Sequence, residues 1–128
     1  TLFPYTTLFR SAAGLWASRA EHPFGLSYGQ KRRLNLVAAT AHQPAVILAD
    51  EPLIGQDAGN ASALLERLRQ TARGGACVLA SLHDPASVWE YADRVLFLED
   101  GRLLVDAPPV EAFEQLSLLG RTAYAVIR

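Results

Sequence analysis

Apolar positions change period along the chain, and each change marks an element. Leu34, Val37, Ala38 and Ala41 recur at i, i+3, i+4 and i+7. That spacing predicts a helix from Ser27 to about His42 with one buried stripe. Lys31, Arg32, Arg33 and Asn35 fall on its other face, and Pro44 ends it. Ala45-Val46-Ile47-Leu48-Ala49 shows no alternation. A run of this kind predicts a parallel strand buried on both faces. Leu64, Leu65, Leu68 and Ala72 predict a second helix, stopped by Gly74-Gly75. Residues 76–82 read as another buried strand, and Pro85 as the first residue of a helix capped by Asp84. Residues 94–98 form a third strand that turns at Asp100-Gly101 into residues 102–105. Pro109 opens a last short helix to about Leu116. Upstream, residues 12–20 read as helical and residues 22–26 as a loop around Pro23 and Gly25.

Strand, helix, strand, helix, strand is the α/β pattern. In open parallel sheets, chemistry gathers at the carboxyl ends of the strands. Those ends carry Asp50-Glu51 and His83-Asp84. The polar residues stand where such a fold places an active site.

Composition narrows the function classes. The chain has 128 residues, half of them apolar and a fifth charged, which suits one globular domain. A net charge of -1 argues against a general basic surface for nucleic acid and against a polybasic membrane anchor. No apolar run approaches the roughly 18 residues of a membrane span. The single cysteine, Cys77, excludes an internal disulfide framework. It falls mid-strand and is expected to be buried. Trp16 and Trp89 are expected to serve packing, and Arg32 and Arg33 to lie on a solvated helix face. His22 and His42 lack metal-ligand spacing with a third ligand.

The opening stretch stands apart. Residues 1–11, TLFPYTTLFRS, have neither helical period nor clean alternation. They back-translate to a common sequencing-library adapter. The expectation is that residues 1–11 are adapter read into the open reading frame and that the domain occupies residues 12–128.

Three segments carry candidate chemistry. Ser27 and Gln30 have the spacing of a capping box, and Gly29 between them permits close approach of a phosphate to the helix start. Asp50 and Glu51 are adjacent carboxylates at the end of an apolar strand, costly to ionise together in a dry site. A divalent cation or a shared proton relieves that cost, and a solvated strand end is the plainer alternative. His83 ends the neighbouring strand, where it can be structural or can donate to a phosphate oxygen.

Together these segments resemble a known family. Leu26-Ser27-Tyr28-Gly29-Gln30 is similar to the signature motif of ABC-type ATPases, usually written LSGGQ. Residues 46–51 resemble their Walker B strand, residues 52–57 the D-loop, and His83 the switch histidine. Residues 94–102 resemble the strand and hairpin that follow. The resemblance covers about residues 22–113 and implies an α/β fold: the C-terminal part of a P-loop-type ABC ATPase domain, with mainly parallel buried strands and flanking helices. It implies ATP and Mg²⁺ as ligands. Ser27, Gly29 and Gln30 would contact the γ-phosphate of ATP held by a partner subunit. Asp50 would help to hold Mg²⁺, Glu51 would polarise the attacking water, and His83 would position the γ-phosphate. Asp57 would link the two sites of a dimer.

The chain departs from the family pattern at several positions. Tyr28 replaces the first glycine of the signature pair, Leu53 a usual Thr or Ser, and Gln56 a usual Leu. No G-x-x-x-x-G-K-[ST] turn occurs, since the only lysine, Lys31, follows Gln30. The family's upstream Q-loop and adenine-stacking aromatic are missing too. Truncation is the expected reason, the intact gene product having roughly 100 further N-terminal residues.

The function so implied is the ATP-hydrolysing subunit of a membrane importer at the cytoplasmic face of the membrane. Residues 23–33 and 106–109 look like those of energy-coupling-factor or cobalt-type ATPases. The partners would be a second ATPase subunit and a transmembrane transporter subunit, with no nucleic acid. One alternative is a non-transport ABC ATPase of DNA repair or the ribosome. Those generally carry a long insertion, and only 15 residues separate Gln30 from Val46. The other is a non-catalytic half-domain that completes a partner's site, with this chain alone inactive.

Overall fold

A computed structural model describes residues 10–121. Of residues 1–11, only Arg10 and Ser11 lie within that range. The chain divides into two compact units, one ending at Ser81 and the other starting at Leu82.

The first unit holds α1 (Tyr28–Thr40), β1 (Val46–Ala49), α2 (Ala58–Arg73) and β2 (Cys77–Ala80). Helix α1 begins with the expected capping box. The Ser27 hydroxyl accepts from the Gln30 amide at 3.3 Å, and the Gln30 side chain accepts from the Ser27 amide at 2.7 Å. Asp57 caps α2 by accepting from the Asn60 amide at 2.9 Å. Gly74 ends that helix, and Gly75 reverses the chain at φ +105. Strands β1 and β2 pair in parallel, with Val46 opposite Cys77 and Ala49 opposite Ala80. Two apolar clusters hold the unit. Ile47, Leu64 and Leu68 join β1 to α2, with Leu36, Leu53 and Val78 packed against them. Ala13, Leu15, Leu26 and Val37 join the N-terminal turns to α1. Each buried Leu or Ile contributes about 1.5–3 kcal/mol of transfer free energy.

The second unit holds α3 (Pro85–Tyr91), β3 (Val95–Glu99), β4 (Arg102–Ala107) and α4 (Pro109–Leu118). Strands β3 and β4 form an antiparallel hairpin with a register shift between Phe97 and Leu98. Its turn, Asp100-Gly101, has φ of +49 and +73, the left-handed pair that a two-residue hairpin needs. Val105, Ala107, Ala112, Phe113 and Leu116 form the core under the hairpin. Trp89 packs on Phe113 with ring centroids 5.5 Å apart.

The α/β class stands as expected, but several sequence readings need correction. The strands are not buried on both faces. Ile47 is buried, whereas Val46, Leu48 and Leu79 are 59, 75 and 51% exposed. Helix α2 covers one face of the β1–β2 pair, and among the described residues the other face has no covering layer. Cys77 lies on that open face and is exposed. Among the described residues only β1 and β2 pair in parallel; β3 pairs with β4 in antiparallel fashion. On α1 the buried stripe runs through Val37 and Thr40, while Ala38 and Ala41 are exposed. Residues 13–21 form turns rather than a helix, because Gly14 at φ +67 breaks the helical path after residue 12. Trp16 is 54% exposed, with the Arg19 guanidinium 4.8 Å over its ring.

Arg10 is 1% exposed. Its guanidinium donates to the Ser18 carbonyl at 2.5 Å and the Glu21 carbonyl at 2.6 Å. The buried cation is thus satisfied by backbone oxygens of the following turns.

Candidate functional site

The parallel register decides what stands beside the acidic pair. Ala49 lies opposite Ala80, so Ser81 follows level with Asp50. The Ser81 hydroxyl donates to Asp50 Oδ1 at 2.6 Å and accepts from the Glu51 amide at 2.7 Å. Glu51 has φ +44, in the left-handed region. A non-glycine residue there costs about 1–3 kcal/mol, and such strain clusters at functional sites. The acidic pair does not sit in a dry pocket: Asp50 is exposed and Glu51 half-buried. Solvent therefore reaches both side chains, and Ser81 bonds one carboxylate oxygen of Asp50 and the backbone amide of Glu51.

The signature-like turn reaches this pair through side chains. Arg32 donates to the Tyr28 hydroxyl at 2.6 Å and to the Asp50 carbonyl at 2.5 Å. Its guanidinium carbon stands 5.4 Å from the Tyr28 ring centroid. The same turn packs on the loop after Glu51. A Cβ on Gly29 would stand 2.3 Å from the Gly55 carbonyl oxygen, so only glycine fits there. Gln56 Nε2 donates to the Gly29 carbonyl at 3.0 Å, and Gln56 Oε1 accepts from Arg33 at 3.0 Å. Arg33 also donates to the Ala13 carbonyl at 3.2 Å.

Ser27, Gly29, Gln30, Asp50 and Glu51 all lie in the first unit, with Gly29 tied through Gln56 to the loop after Glu51. Asp57 points its carboxylate at Asn60, whose backbone amide and side chain hold it below the ordinary carboxylate value. His83 is exposed and belongs to the second unit, just ahead of α3. Asp84 caps α3, and Ser87 holds its carboxyl below the ordinary value.

The donor chemistry suits a hard cation. Among the described residues, no group of three His, Cys, Asp or Glu forms a complete protein cage. Mg²⁺ commonly takes one or two carboxylates, with waters and substrate phosphates filling its other positions. Asp50 supplies such a carboxylate, with Oδ1 oriented by Ser81.

Sequence reasoning passes over four contributors. Ser81 becomes significant only through strand register. Arg32 and Arg33, read as a solvated face, bond to Asp50 and Gln56, 18 and 23 residues away. Gln56 stands out in the sequence only as a departure, without a role.

Comparison with known proteins places the fold. The sequence profile of the ABC transporter family matches residues 8–54. The chain is 43% identical over 94 residues to YkoD of Bacillus subtilis, provisionally named an HMP/thiamine import ATP-binding protein; the match covers 73% of this chain and 17% of YkoD. It is 34% identical over 108 residues to the energy-coupling factor transporter ATP-binding protein EcfA of Methanocaldococcus jannaschii, covering 84% of this chain and 39% of that one. A solved ATP binding subunit of an ABC transporter superposes with a TM-score of 0.74 at 27% identity, over 93% of this chain and 52% of the other. The chain belongs with the ABC transporter ATP-binding domains. It spans less than a fifth of the length of YkoD.

Proposed function

We propose that this sequence works as part of the ATP-hydrolysing subunit of a membrane importer of the energy-coupling-factor type. The observation that carries the reading is the Ser81 bridge between Asp50 and Glu51 at the end of a parallel strand pair. It holds one carboxylate for a cation and anchors the backbone of the next residue, which takes a strained left-handed conformation.

In this reading, water attacks the γ-phosphorus of ATP, the bond to ADP breaks, and Glu51 draws the proton of the attacking water. Mg²⁺ held by Asp50 would neutralise charge on the β- and γ-phosphate oxygens. The Ser27 hydroxyl accepts from the Gln30 amide, which leaves its own proton free to donate to phosphate. The amides at the start of α1 face the same direction and favour an anion. His83 donates to a γ-phosphate oxygen, and Asp57 links the paired sites across the dimer. The phosphate cradle comes from another segment or chain, because these 128 residues contain no G-x-x-x-x-G-K-[ST] turn.

The partners are a second ATPase subunit and a transmembrane transporter subunit. No helix among the described residues is long and apolar enough to cross a membrane. Attachment to the membrane face would then run through the transmembrane partner. Phosphate release by a transporter complex carrying this sequence tests the reading. Magnesium-dependent ATP hydrolysis is expected, and a complex that transports without hydrolysing ATP contradicts it.

A further inference from the structure

Gln56 stands where the family resemblance has an apolar residue, and its amide makes two bonds that an apolar side chain cannot make. Nε2 donates to the Gly29 carbonyl, and Oε1 accepts from Arg33, each at 3.0 Å. Both Gln56 and Arg33 are half-buried, so water replaces these bonds poorly. Gly29 lets the backbones meet, since a Cβ would stand 2.3 Å from the Gly55 oxygen. Gly55 takes φ +75, and a Cβ added there would stand 3.2 Å from the Tyr28 ring. Residues on both sides of the contact are thereby fixed in two directions, across the backbones and through the amide.

We infer that Gln56 and Arg33 are positioning residues that clamp the signature-like turn to the loop after Glu51, so that the two move as one body. Loop residues 52–56 run directly from Glu51. A shift of the turn on meeting phosphate therefore reaches Glu51 through Gln56 rather than being lost in a slack loop. The inference rests on the proposed ATPase reading for its effect on turnover, but the clamp itself can be read without nucleotide.

Amide hydrogen exchange on the full 128-residue chain tests it, alongside ATP turnover in the transporter complex. In Gln56→Leu, exchange in residues 27–33 and 53–57 is expected to rise together by about tenfold, with the β3–β4 hairpin unchanged. Arg33→Ala is expected to accelerate the same two segments, and the double variant to add little to either single change. Turnover should fall through kcat, with the KM for ATP moving less. Acceleration confined to residues 53–57, or no acceleration, overturns the clamp. Should Gln56→Leu loosen the hairpin as well, Gln56→Glu decides. It keeps the acceptor for Arg33 and loses only the donation to Gly29, so residues 27–31 should exchange faster. Unchanged exchange there overturns the clamp too. A complex that never hydrolyses ATP, with exchange behaving as expected, removes the ATPase reading and leaves the clamp standing.

Discussion

The Ser81 hydroxyl donates to Asp50 Oδ1 at 2.6 Å while it accepts the Glu51 amide at 2.7 Å. One side chain just past β2 thus fixes two consecutive residues just past β1. Ser81→Ala removes both bonds and leaves Glu51 in its strained conformation with one restraint fewer. The expected cost is about 1 kcal/mol, because water reaches this exposed site and compensates in part. A lowered urea midpoint measures the loss. Ser81→Thr keeps the hydroxyl and should recover most of it.

Gly29 and Gly59 make a contrasting pair. Gly29→Ala drives a methyl into the Gly55 carbonyl and must part the two segments. It should destabilise the chain by at least about 1 kcal/mol. Gly59 lies in helix α2, where an added methyl would meet only ordinary contact, at 3.5 Å from Asp57 Oδ1. Gly59→Ala should stabilise by about 0.5 kcal/mol through lower unfolded-state entropy. Denaturant midpoints moving in opposite directions confirm the pair; a shared direction contradicts it.

Leu64 and Leu68 anchor α2 on β1, each at most 5% exposed. Truncation of either to Ala should cost about 2–5 kcal/mol, from lost transfer energy and a residual cavity. A fall in the urea midpoint at constant slope checks this. Among the described residues only one face of the strand pair is covered, so these substitutions should also raise aggregation, which light scattering at rising temperature detects.

Acid should weaken the chain in a defined direction. Asn60 holds Asp57, Ser87 holds Asp84, Arg121 holds Glu99 and Arg94 holds Asp106, each below its ordinary carboxylate value. A carboxyl lowered in the folded state adds stability above its unfolded value, and loses it as pH falls through the folded value. Thermal midpoints should hold near neutrality and drop below the usual carboxylate range. Asp84→Asn should flatten part of that drop. A midpoint unchanged on acidification contradicts the assignment.

Much of the fold is readable in the sequence because its causes are local. The Ser27–Gln30 capping box, the Asp84 cap, Gly74-Gly75 and the Asp100-Gly101 turn each act within a few residues. Burial is less readable. An apolar run such as residues 45–49 tells that a strand can be covered on both faces, and not that both covers exist. Cys77 departs from expectation for the same reason, since it sits on the open face. Of the expected stripe on α1, Val37 is buried and Ala38 is exposed, while the buried Thr40 satisfies its hydroxyl on the Leu36 carbonyl at 2.9 Å. The acidic pair is legible from sequence, whereas Ser81 needs the β1–β2 register and Gln56 needs a contact 27 residues away.

The chain on its own is expected to bind ATP negligibly, for want of a phosphate-cradling lysine loop. Calorimetric titration of the 128-residue chain with ATP should show no heat above dilution. Micromolar affinity would mean that the turn at the start of α1 holds phosphate without help.

The central claim is that Glu51 draws the proton from the water that cleaves ATP. Its most direct test is Glu51→Gln in a transporter complex carrying this sequence, with nucleotide binding and phosphate release measured side by side. Retained ATP binding with phosphate release reduced by at least about a hundredfold is the predicted result. Hydrolysis at the parent rate would contradict the account.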